Sequence, residues 1–126
     1  MSEQPRDRYG RPLRGSFEQA VDGVPPRSQI SSPDAWSEAM AHLAMDRPFH
    51  AHEVFEQRWR CCPDGERAIW KALAQWAAAL TQLARGNARG ASANAGKAQV
   101  NLEDADIIPE PVDLTRVRRS LAELLQ

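Results

Sequence analysis

His52, Glu53 and Glu56 stand close together in the stretch Pro48 to Arg60, which also carries Phe49, Phe55 and Trp59. A histidine and a glutamate at i and i+4 share one helix face, a spacing that can hold a divalent metal. His52-Glu53 also matches the start of HExxH, with Glu56 where the second histidine would stand. In that reading His52 and Glu56 bind the ion and Glu53 activates water as the catalytic base. A carboxylate beside apolar surface can alternatively work as a general acid or base without a metal. The third reading is a structural network in which histidine, glutamate, glutamine and indole N–H satisfy one another. It is the favoured one, because two ligands do not make a metal site and ion-pair networks produce such clusters without catalysis.

These residues need a helix to bring them together. With Phe49 at 0° and about 100° per residue, Phe49, His52, Glu53, Phe55, Glu56, Trp59 and Arg60 fall within an arc of roughly 160°. His50, Val54 and Arg58 fall on the opposite side, so the aromatic arc is expected to face the core. The next helix places Gln75 and Gln82 seven apart at the edge of an apolar half made by Ile69, Ala72, Leu73, Trp76, Leu80 and Leu83. An antiparallel hairpin about Pro63 puts His52 level with Gln75, which predicts a cross-helix network of His52, Gln75 and Glu53 or Glu56, lining a polar pocket. Trp59 could stack on a ligand there. Arg85-Gly86-Asn87 is expected to end the third helix, with glycine or asparagine at positive φ. Asn87 and Arg89 could instead bind an anion at the start of the next helix, and the cap is favoured because every helix must satisfy its terminal groups.

Five helices are expected. The first begins at a Ser32 cap before Pro33 and Asp34 and runs to about 46. The second covers about 48–60, the third about 66–85 and the fourth about 89–102. The last follows an Asp113 cap to about 125, with Leu114, Val117, Leu121 and Leu124 inward. The fold class is therefore a compact all-α bundle over residues 32–126. Residues 1–31 hold Pro5, Pro12, Pro25 and Pro26 with Gly10, Gly15 and Gly23, and read as a flexible or draped N-terminal arm.

Phe49-His50-Ala51-His52-Glu53-Val54-Phe55-Glu56 through Trp59, followed by Leu73-Ala74-Gln75 through Leu80 and by Arg85-Gly86-Asn87, resembles the domain-of-unknown-function 309 family. The resemblance implies a compact all-α domain of bacteria and archaea and singles out His52, Glu53, Glu56, Trp59, Gln75, Gly86 and Asn87. It supplies no established reaction, although some members carry a metal-dependent hydrolase label. Two positions depart from the family's pattern: Gln82 stands where histidine is frequent, and His50 where glutamate is frequent. Glutamine at 82 removes the natural third metal ligand, while a hydrogen-bonded network survives the change.

Composition excludes broader classes. The 126 residues carry 16 basic and 17 acidic side chains, so no net field draws the chain to nucleic acid or an acidic membrane. No apolar run approaches the roughly 20 residues of a membrane span. With no apolar signal core, a cytoplasmic location is expected. Cys61 and Cys62 are the only cysteines and are expected to stay reduced in a turn. The expected function is a structural module, or one binding a small molecule or protein partner. The alternatives are the metal-dependent hydrolase and, more weakly, nucleic-acid binding through arginines of the arm. A homo-oligomer is compatible with all three.

Overall fold

A computed structural model of the chain describes residues 6, 7, 9–11 and 22–126. The expected arm is thus described only at 6, 7, 9–11 and 22–31; the rest of it lies outside the described residues. Five helices follow in order: α1 (Ser32–Ala44), α2 (Pro48–Cys61), α3 (Arg67–Ala84), α4 (Ala88–Glu103) and α5 (Leu114–Leu124). A single 3-10 turn, Asp64–Glu66, joins α2 to α3. No helix among the described residues is long and apolar enough to cross a membrane.

The helix ends follow capping chemistry. Ser31, rather than Ser32, caps α1: its hydroxyl accepts from the Asp34 amide, which moves Ser32 and Pro33 into the first turn. Asp113 caps α5 through the Arg116 amide. Gly86 ends α3 with φ +81°, a left-handed conformation that costs glycine nothing. Its neighbour Asn87 starts α4, accepting from the Gly90 amide at 2.9 Å.

Helix α3 is the centre of the bundle, in contact with α2, α4 and α5. Its residues are therefore covered on several sides: Ile69, Trp70, Leu73 and Ala77 are fully buried, and Trp76 nearly so. The alanines of α4, Ala91, Ala95 and Ala98, are buried and let its backbone lie close to α3. Leu83, expected inward, is 52% exposed, because it lies at the end of α3 beyond the packed centre. Val117 and Leu121 seal α5 onto this core, and Trp76 donates its indole N–H to the Ser120 hydroxyl at 2.8 Å.

Helix α2 lies between α1 and α3 and buries His50, Ala51, Val54, Phe55 and Gln57. This reverses most of the expected orientation. His50 and Val54, expected outward, are inside, and His52, Glu53, Glu56 and Trp59 are only half-buried. An aromatic arc marks the inner face only when a helix has a single covered side, and α2 has two.

Asn87→Ala is expected to cost about 1 kcal/mol of stability in urea unfolding, through loss of the α4 cap. An unchanged unfolding midpoint would show that the cap is not engaged.

Candidate functional site

One face of α2 repeats at helical spacing: buried His50, Val54 and Gln57, with half-buried Arg58 and Cys61. Only Val54 in that series is purely apolar. The polar members meet residues 22–30, which run alongside α2 in the same direction. The His50 imidazole Nε2 lies 2.7 Å from the carbonyl oxygen of Asp22. A carbonyl can only accept, so Nε2 carries the proton. Gln57 donates from Nε2 to the Pro25 carbonyl at 2.8 Å. Arg58 donates to the Ile30 carbonyl at 3.0 Å, and the Cys61 thiol reaches the same oxygen at 3.6 Å.

Side chains of the segment are held as well. Arg27 donates to Gln57 Oε1 at 3.0 Å and pairs with Glu38 of α1 at 2.8 Å. Ile30 is 7% exposed and belongs to the hydrophobic core, and Val24 packs against it. Arg58 also reaches toward α3. It pairs with Glu66 at 3.1 Å, lies over the Trp70 ring, and shares Glu66 Oε1 with the Trp70 indole N–H. One arginine thus ties the segment, α2 and the start of α3 together.

His52, Glu56 and Arg60 form a separate chain on the half-buried side. His52 Nε2 meets Glu56 Oε1 at 2.8 Å, and Arg60 holds the other Glu56 oxygen at 2.9 Å. Phe49 and Arg85 adjoin them, with the Phe49 and His52 ring centres 5.9 Å apart and the Arg85 guanidinium over Phe49. Residues 6, 7 and 9–11 lie on this end. Gly10 sits against the Phe49 ring at φ +77°, where a Cβ would collide with it. Arg85 donates to the Tyr9 carbonyl at 2.9 Å.

The expected link from His52 to Gln75 is not made. Gln75 instead accepts from Asn101 of α4 at 2.6 Å. Gln82 accepts from Asn87 at 3.1 Å, so the two glutamines and Asn87 fasten α3 to α4. Trp59 has the Arg67 guanidinium 4.7 Å over its ring, and Glu53 is half-buried. Among the described residues no three of His, Cys, Asp and Glu converge as a metal site would require. His52 and Glu56 engage each other, and Arg60 takes the remaining carboxylate oxygen. The donor set does not fit the hydrolase metal centre.

Sequence reasoning missed Gln57, Arg58, Glu66 and Arg27. The signal for the first two was present as the spacing 50, 54, 57, 61, but the aromatic arc outweighed it. Of the arm's arginines, Arg6 donates to the Gly10 carbonyl, Arg11 pairs with Asp7 and Arg27 with Glu38. Each of these three thus has a partner within the chain.

Burial lowers the pKa of His50, with a further push from Arg47, while the Asp22 carbonyl opposes it. His42, whose ring centre lies 5.3 Å from that of His50, shifts the same way through burial and the neighbouring imidazole. His52 is also lowered, first by burial, with Glu56 offsetting part of the effect.

The architecture defines a small all-α domain with a polar helix set between two others. Residues 36–94 match the model of a family described as Domain of unknown function (DUF309), so the chain resembles that family from α1 into α4. No curated protein and no solved structure matches. The matched stretch contains His50, Gln57, Arg58, Cys61 and Glu38, and not the segment that they hold.

All three histidines favour the neutral form when folded, relative to an ordinary value of 6.5. The unfolded chain therefore binds more protons below that value. Stability is full above it and is lost as pH falls through the lower folded values. The thermal midpoint should fall between about pH 7 and about pH 5, less steeply in His50→Gln. Equal slopes for wild type and variant would show that His50 does not contribute.

Proposed function

We propose that the chain is a helical binding module in which α2 grips an extended peptide segment by its main-chain carbonyls. Residues 22–30 of the same chain occupy that position. The observation that carries this reading is the row of donors on one helix face: His50, Gln57, Arg58 and Cys61 reach the carbonyls of Asp22, Pro25 and Ile30. An extended segment outside a sheet has no ladder to satisfy its carbonyls. Side-chain donors at helical spacing supply that need without requiring a particular sequence in the segment. Specificity then comes from the side chains, with Arg27 between Glu38 and Gln57 and Ile30 in the core.

The His52–Glu56–Arg60 chain supports the same reading as a brace. It stiffens the outer side of α2 while Phe49 receives the turn at Gly10. The motif residues then serve to fix the receiving helix, and the glutamines of α3 fix the helix behind it.

Trypsin provides the test, since it must bind the Arg27 side chain to cut the following bond. Wild type should resist cleavage at Arg27, and His50→Ala or Gln57→Ala should speed it by about tenfold, the effect of roughly one lost hydrogen bond on local opening. Cleavage of wild type at the rate of a free peptide of the same sequence would overturn the reading.

A further inference from the structure

Three shallow depressions, of about 460, 520 and 260 Å³, meet at Ser120 on the face formed by α5 and the end of α3. Leu80 and Leu83 of α3 line two of them, and Leu124 of α5 lines one of those two. Leu83 is 52% exposed, with Leu80 and Leu124 half-buried beside it. A large aliphatic side chain left open on a concave apolar floor, inside a polar rim, has the anatomy of a surface that a second molecule covers.

The rim of this face is charged and unpaired. Arg116, Arg119 and Glu123 are exposed around Ser120 on α5. None of the three has an ion-pair partner among the described residues. Arg119 and Glu123 stand four apart, but the base comes first, which is the weaker order for a pair within one helix. The other acids here are engaged: Asp113 caps α5, and Asp46 accepts from the Tyr9 hydroxyl at 2.7 Å. The signs are separated along the helix, with both arginines before Ser120 and the glutamate after it. Such a face is self-complementary: turned end for end, it presents acid where the first copy presents base.

We propose that this face binds a second copy of the chain, with α5 packed antiparallel on α5 about a two-fold axis at Ser120. The serine side chain is small and lets the two helices approach closely. Glu123 of one copy then lies level with position 117 of the other, between its Arg116 and Arg119. The axis makes that contact twice, and Leu83 with Leu124 is buried between the copies. The contact is small and rimmed by charge, so the dimer is weak and sensitive to salt. It is made by α3 and α5 and is independent of the hold of α2 on residues 22–30.

Sedimentation equilibrium of the full chain at low salt, over about 5–500 μM, is the test. Wild type should pass from monomer to dimer within that range. Leu83→Asp should weaken the dimer at least about tenfold, because it sets a carboxylate in the apolar contact of each copy. Glu123→Arg, and separately Arg116→Glu with Arg119→Glu, should each weaken it by about tenfold, since every charged contact turns repulsive on both sides of the axis. Mixing these two charge variants should restore association to within about threefold of wild type, because each supplies the sign that the other lacks. Circular dichroism checks that every variant is folded, and Leu83→Ser takes the place of Leu83→Asp if the latter unfolds. A wild type that stays monomeric throughout overturns the proposal. So does a dimer that any of these folded variants leaves unchanged, or a pair of charge variants that fails to associate when mixed.

Discussion

A main-chain carbonyl laid against a protein surface must exchange water for another donor, and an extended segment outside a sheet cannot provide one itself. This constraint organises the α1–α2 side of the molecule. Helix α2 carries His50, Gln57, Arg58 and Cys61 inward at helical spacing, and residues 22–30 align their carbonyls with them. Because those donors are half-buried or buried, their own geometry must be held. Glu66 and Trp70 hold Arg58, and Arg27 holds Gln57. The bundle thus places a polar face where an amphipathic helix would ordinarily place leucine, and the cost of burying it is offset by hydrogen bonds to the segment.

The other polar groups of the motif act elsewhere in the bundle. His52, Glu56 and Arg60 interact along α2 at its half-buried side, at the end where Phe49, Arg85 and the turn at Gly10 meet. Gln75 with Asn101, and Gln82 with Asn87, close the α3–α4 interface, where buried alanines allow close approach. The motif is distributed over two helix contacts, and its residues do not converge on one ligand.

The all-α class, the five helices and the Asp113 cap were legible in the sequence, because capping residues, prolines and apolar spacing act locally. Gly86 was legible as part of the stop of α3 for the same reason, whereas Asn87 as the cap of α4 was not. The orientation of α2 was not, since Phe49, Phe55 and Trp59 suggested one inner face. Covering by α1 on one side and α3 on the other sends Val54 and His50 inward along with Phe55. The role of Gln57 and Arg58 was hidden because their partners are carbonyls, which carry no residue identity, some 30 positions earlier in the chain. Gln75 was legible as a polar interface residue but not in its choice of neighbour, which depends on the packing of α4.

The central claim is that α2 holds residues 22–30 through donors aimed at their carbonyls, and the tautomer of His50 reports on it directly. Its Nε2 faces the Asp22 oxygen at 2.7 Å, and its Nδ1 has no partner among the described residues. Nitrogen-15 NMR of the imidazole at neutral pH should show a neutral ring protonated at Nε2, with that proton exchanging slowly with water. An imidazole averaging between both tautomers, or protonated at Nδ1, would contradict the account.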